Sequence, residues 1–346
     1  MKPKRKKLLL KEAGLETQKR TPWRRWIVLV LIIVGFFLTG IYVPVQPEIT
    51  VAPEKIIEEP LTENFLGFAG PLYLVNTLPT LAVTLVLLVI ISLAAYRSLK
   101  KSQNTDLVPR GIGNAMEAIL EMLYNLTEGS AGAKWVRAIF PWFATIMIYV
   151  LFANLLKLIP GFETIGVFHH VESDGHAIAP FVGNWSNILP EEGGYVLVPF
   201  FRGISVDLNF TFTLALISVI FIQVIGVRSQ GVGYFSKFFN TRRMFKVPFF
   251  GAMDFLVGLL ELISELAKIL SFAFRLFGNM FAGVVLAAIV ASLLGFIAIL
   301  PAMVMMFELF VGVIQAFVFG MLTMVFMAQA TQGHGEEHEE AHAETH

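Results

Sequence analysis

Long apolar runs separated by short polar stretches set the pattern of this chain. The first runs from 26 to about 42, the second from 72 to 96, the third from 136 to 159 and the fourth from about 204 to 227. Residues 249 to 330 are then almost continuously apolar, interrupted by Pro301, which with Gly295 marks a turn between two helices. A membrane helix needs about 20 apolar residues, so each run is long enough to span. The pattern predicts an all-α polytopic membrane protein of about six apolar segments, ending in two long tilted membrane helices.

The stretch from 249 to 300 is too long for one upright span. As a helix it would measure roughly 75 Å against a hydrocarbon core of about 30 Å. Two spans would need a turn near 271 to 280, where only Gly278 and Asn279 look like turn residues, so one long, tilted helix is expected instead. Within 111 to 128, Met116, Ile119, Leu120, Leu123 and Leu126 recur at helical spacing with Glu117, Glu121 and Glu128 between them. A short amphipathic helix on the cytoplasmic membrane surface fits, and a connector with an apolar packing stripe is the alternative.

Composition agrees with this class. Hydrophobic residues make up 56% and charged residues 15% of the 346, and there is no cysteine, which excludes disulfides and thiol chemistry. No phosphate-cradling glycine loop, zinc-protease or serine-hydrolase motif is present, and the seven histidines all fall outside the apolar runs. No cofactor, metal site, catalytic nucleophile or nucleic-acid partner is therefore expected. The net charge is zero, but ten of the 26 Lys and Arg residues precede Trp26. Segments 97 to 137 and 228 to 246 are also basic, whereas 45 to 71 holds only Lys55 and 160 to 203 only Arg202. By the positive-inside rule both termini are cytoplasmic and the two acidic, proline-containing loops lie outside. The first run, with its basic leader, could also be a removed signal peptide, but it has span length and lacks a small-residue cleavage site. The His/Glu-rich end, HGEEHEEAHAETH, reads as a disordered tail with at most weak metal affinity.

Polar residues inside the apolar runs are the candidates for chemistry. Glu261, Ser264, Lys268, Ser271 and Arg275 follow at steps of three and four, and Asn279 continues the line by one turn. The next helix carries Glu308 and Gln315, seven apart and on one face, with Gly312 between them. Asn154 sits in the third run with Lys157 beyond it, near enough to the membrane end for its stem to snorkel. Asp207, Asn209, Thr211 and Thr213 alternate through VDLNFTFT and read as interfacial. A permanent cation at the middle of a span costs roughly 2.5 to 3.5 kcal/mol or more, so Arg275 calls for a compensating partner.

With these residues in view, the chain resembles subunit a of the rotary F-type ATP synthase. RLFGNMFAG (275 to 283) carries the likeness most specifically, supported by NLLKLIPG (154 to 161), VDLNFTFTLAL (206 to 216) and QAFVFGMLTMVFMAQA (315 to 330). The resemblance implies that Arg275 is the stator arginine facing a ring of c subunits, whose carboxyl groups supply the missing anion. Asn279, Gln315 and Asn154 would line its surroundings, Glu308 the outer ion path, and Glu261, Ser264 and Ser271 the cytoplasmic access path. Two departures stand out: the place of the outer ionisable group, and the extra N-terminal span with the long outer loop 160 to 203, whose roles the family does not supply. Val284 occupies a place where many members carry Glu or His, and Glu308 one where some carry His, so the outer ionisable group has moved between helices.

The implied organisation is a basic cytoplasmic tail (1 to 25), an extra N-terminal transmembrane helix (26 to 43), an outer acidic linker (44 to 71), a subunit-a-like domain (72 to 330, with outer loop 160 to 203) and the tail 331 to 346. The implied partners are the c ring, b-type peripheral stalk subunits, the rest of the synthase and the lipid of a bacterial plasma membrane. The resemblance leaves proton or sodium open as the coupling ion, with proton the default. The rival readings are a secondary transporter, which would need a paired repeat of the Arg275 segment that the sequence lacks, and a non-conducting scaffold.

Overall fold

A computed structural model describes residues 50–63, 71–103, 111–159, 161–182, 185–238, 248–294 and 299–332, with isolated positions between 26 and 34. The basic tail, nearly all of the expected first span, the turn at 295 to 298 and the His/Glu-rich end lie outside the described residues. Five described helices are long and apolar enough to cross a membrane. They are α1 (Thr77–Gln103), α2 (Ile112–Leu156), α3 (Leu208–Gln230), α4 (Pro248–Leu294) and α5 (Ile299–Thr331).

Helix α4 runs unbroken through 47 residues. That is about 70 Å at 1.5 Å per residue, so it must lie strongly tilted to remain within a bilayer. Gly278 and Asn279 do not interrupt it, because neither is reinforced by a proline or a second breaker. Pro301 falls in the first turn of α5, where a missing N–H costs nothing.

The amphipathic segment and the third span prove to be two parts of α2. They meet at Gly132, whose φ of 73° and ψ of 163° break the helical path in a conformation that glycine adopts without a Cβ clash. The first part packs on the bundle: Leu123 is fully buried, and Leu120 and Leu126 lie against the same core. The expected membrane-surface helix is thus a connector with an apolar packing stripe along part of its length.

The outer loop 160 to 203 contains the main departure from an all-helical chain. Strands β1 (Gly166–Val182) and β2 (Trp185–Pro199) form an antiparallel hairpin, with shifts in register on either side of the Gly175–Gly193 pairing. The end of the bundle bearing it is called the hairpin end below. A segment from Thr50 to Thr62 is fastened there: Ile56 N–H donates to Leu74 O at 2.8 Å, and the Arg202 guanidinium donates to Thr50 and to Ala52 O.

The core lies among α2, α3, α4 and α5. Phe143, Ile222, Phe272, Leu276, Phe319 and Met324 are almost wholly buried in it. Trp142 stacks on Phe221 with ring centroids 3.6 Å apart, joining α2 to α3, while Phe272 meets Phe319 at 5.3 Å and Phe326 at 5.8 Å to join α4 to α5. Helix α1 carries an open apolar face that includes Val86, Val89 and Ile90, as a lipid-facing helix would.

Buried hydroxyls in this core are satisfied locally. Thr84, Thr127, Ser218 and Thr323 each donate to the carbonyl one turn earlier. Asp207 does more than sit at an interface. Its Oδ1 caps α3 by accepting from Asn209 N–H at 2.9 Å, and its Oδ2 accepts from Thr77 Oγ1 at 3.0 Å, which ties the start of α3 to the start of α1. Asp207→Ala is expected to destabilise the fold by about 1 to 3 kcal/mol through the lost cap and the orphaned buried hydroxyl. Thermal unfolding of the purified complex should show this loss, with Asp207→Asn retaining most of the stability.

Candidate functional site

Three polar contacts stitch α2, α4 and α5 together near the hairpin end. Asn154, fully buried on α2, accepts from Ser205 Oγ at 2.6 Å and donates to Gly312 O of α5 at 3.0 Å. Asn279 of α4 donates to Gln315 Oε1 of α5 at 2.6 Å. Lys157 Nζ stands 3.4 Å from Glu308 Oε2, with 3% of the lysine side chain and 10% of the glutamate side chain exposed. The lysine therefore turns into the bundle instead of snorkelling outward, because a buried carboxylate offers a stronger partner than the interface.

These contacts leave hydrogen-bonding capacity unspent. Glu308 Oε1, Lys157 Nζ and Gln315 Nε2 are all buried without a hydrogen-bond partner among the described residues. A cavity of about 220 Å³ opens beside them, lined by Lys157, Glu308, Asn279 and Gly283 among others. Water occupies about 30 Å³ per molecule, so the space and its polar rim suit several waters. Gly283 makes room for the carboxylate: a Cβ there would stand 2.9 Å from Glu308 Oε1. Glu308 thus packs directly against α4, beside the position that Val284 leaves without an ionisable group.

Arg275 stands apart from this cluster. It is partly exposed, one turn from Asn279 on α4, and no described residue pairs with it. By the helical repeat, the line from Glu261 to Asn279 covers about 80° of the circumference, at the border between the packed and open faces of α4. Ser264 and Ser271 lie on the exposed side of that border, with Phe274 and Leu270 beside them.

Glu261 belongs to a second cluster, at the opposite end of the bundle. Lys237, at the close of the 3₁₀ segment Gly231–Lys237, reaches Glu261 at 3.1 Å and Glu265 at 3.0 Å. Lys268 and Gln223 also bond Glu265, at 3.0 Å and 2.9 Å, and Tyr234 OH donates to Gln223 at 2.8 Å. Partial burial alone would lower the Lys237 pKa, but the hydrogen bonds it donates to Glu265 and Glu261 outweigh that and hold the ammonium above its ordinary value.

The expected site residues thus divide into three groups. Asn154, Asn279, Gln315 and Glu308 gather near the hairpin end, Glu261 joins the far cluster, and Arg275, Ser264 and Ser271 lie along the flank of α4 between them. Sequence reasoning did not single out Glu265 or Ser205, and it gave Lys157 another role. Glu265 lies four residues after Glu261 and three before Lys268, a spacing that signals helical ion pairs. Lys157 lies three after Asn154 and so shares its face, whereas the contact between Ser205 and Asn154 has no local signal.

A family model described as ATP synthase A chain matches residues 79–328. Among curated relatives, ATP synthase subunit a of Mycobacterium bovis is 28% identical over 293 residues, covering 84% of this chain and 99% of that protein. ATP synthase subunit a of Campylobacter jejuni subsp. doylei is 30% identical over 245 residues, covering 70% of this chain and 84% of that protein.

A double-substitution cycle at Lys157 and Glu308 tests the buried pair. Removing either partner strands a buried charge and should cost about 3 to 5 kcal/mol, whereas Lys157→Met with Glu308→Leu should recover most of that loss. Unfolding midpoints of the four proteins in detergent would reveal equal, additive losses if the pair were not coupled.

Proposed function

The chain belongs to the ATP synthase A chain family, is a bacterial membrane protein and is part of the F-type ATP synthase; from that premise we propose that it is the ion-translocating stator subunit. In this reading it provides two offset half-channels that couple proton flow to rotation of the c ring and so to ATP synthesis. The chain does no catalysis itself. It works in the bacterial plasma membrane with both termini cytoplasmic, held by b-type stalk subunits.

One observation carries the proposal. Arg275 is a permanent cation on the open flank of a membrane helix, and no described residue of its own chain pairs with it. In this reading the compensating anion comes from outside the chain, and a carboxyl on each c subunit supplies it. Facing lipid, that carboxyl is neutral, since an unpaired charge there costs too much. Facing Arg275, it ionises, since a fixed cation lowers its pKa.

The other residues fall into place around this exchange. Glu308 receives protons on the hairpin side, with Asn279, Gln315 and Asn154 holding the adjoining polar surface. On the cytoplasmic side Ser271, Ser264 and Glu261 lead the released proton away. Arg275 between the two sides prevents a proton from crossing without a step of the ring. One elementary charge moved through 100 mV supplies about 2.3 kcal/mol, so several must pass for each ATP formed.

Arg275→Ala in the assembled complex in inverted vesicles is expected to abolish ATP-driven acidification while ATP hydrolysis by the detachable catalytic part continues. Pumping at near the wild-type rate would make the arginine structural and end the stator reading.

A further inference from the structure

The hairpin end holds one more carboxylate, close to the stem of Lys157. Glu163, in the turn between α2 and β1, is partly buried, and its Oε1 accepts from Gly203 N–H at 3.0 Å. The stem of Lys157 passes the same spot: a Cβ at Gly203 would lie 3.1 Å from Lys157 Cδ and 3.6 Å from Glu163 Oε1. Beyond that point Lys157 reaches Glu308. One lysine side chain thus runs from the neighbourhood of Glu163, at its stem, to Glu308, at its ammonium.

Resting on the stator reading above, we propose that Glu163 collects the proton at the outer mouth and hands it, past Lys157, to Glu308. A proton from external water bonds to the Glu163 carboxylate. That O–H bond then breaks as the proton moves through water to the Glu308 carboxylate, and Glu163 returns to its anionic form. The Lys157 side chain, which reaches from beside Glu163 to Glu308, takes no part in the transfer itself.

The surroundings suit this task. Burial pushes the Glu163 carboxyl up from its ordinary value, the Gly203 amide, Lys157 and Arg202 pull it back, and Glu308 pushes it up again, leaving it raised. A carboxyl so placed holds a proton at a higher pH than a solvated one. Arg202 is itself engaged with Thr50 and Ala52, so it fixes the mouth without forming a close ion pair with Glu163. The cavity lined by Lys157 and Glu308 offers room for water at the Glu308 end of this route.

The test is ATP synthesis by the whole complex in inverted vesicles, driven by an imposed gradient, with the pH of the lumen varied. Glu163→Gln should slow synthesis by on the order of 10²-fold at alkaline lumen pH and far less at acid pH, where protons are plentiful. Glu163→Asp should restore most of the alkaline rate, and formate in the lumen should partly rescue Glu163→Ala, which a structural role would not allow. Wild-type rates for Glu163→Gln at every pH, or a uniform loss with no rescue by formate, overturn the proposal. Arg275→Ala run in parallel separates the two failures. If it still synthesises ATP, the stator reading itself falls, whereas an inactive Arg275→Ala beside a pH-independent Glu163→Gln profile removes only the collecting role.

Discussion

A charge that cannot be discharged, placed where no described residue of its own chain pairs with it, is the constraint around which this molecule is arranged. Many of the other deeply placed polar groups among the described residues have a way to lower their cost. Threonine and serine hydroxyls return to the preceding turn, Asn154 bridges Ser205 and Gly312, and Lys157 faces Glu308. Arg275 has no such arrangement, although Asn279, one turn away, is bonded to Gln315. Under the stator reading, a guanidinium left open on the flank, with no partner among the described residues, is placed to meet an external anion.

The two ion clusters follow from the same economy. At the far end, Glu265 collects Lys237, Lys268 and Gln223, so α3, the 3₁₀ segment and α4 are braced where α4 begins its long tilted course. At the hairpin end, Lys157 and Glu308 brace α2 against α5, and Gly283 lets α4 close on the same carboxylate. A helix of 47 residues is a long lever. Bracing it on either side of Arg275, at Glu265 and at Gly283, fixes where that residue presents its charge.

Legibility in the sequence followed how local each cause was. The extent of α4 could be read directly, since fifty apolar residues without a proline leave a helix little choice. The stripe along it was equally plain, because steps of three and four are a local signal. Lys157 was harder: near a membrane end a snorkelling lysine is the ordinary solution, and its actual partner lies on a helix far along the chain. The kink at Gly132 depended on one residue adopting a positive φ, which a single glycine in a helical pattern does not announce. The hairpin was hidden because its glycines, prolines and charges read as loop, and its register shifts break the regular alternation that would reveal paired strands.

Between the two polar clusters the interior is dry. Phe272, Leu276, Phe319 and Met324 fill the space behind Arg275, and none exposes more than a trace of surface. A water path through the middle of the bundle would have to displace these rings and methyls, whose burial is worth roughly 1.5 to 3 kcal/mol each. Polar continuity from one end to the other runs instead along the flank of α4, through Ser264, Ser271, Arg275 and Asn279. A neighbouring subunit covering that flank would control the only step left open among the described residues, from one side of the arginine to the other. Under the stator reading, tight coupling then depends as much on the apolar core, which closes the short route, as on the cation that guards the long one.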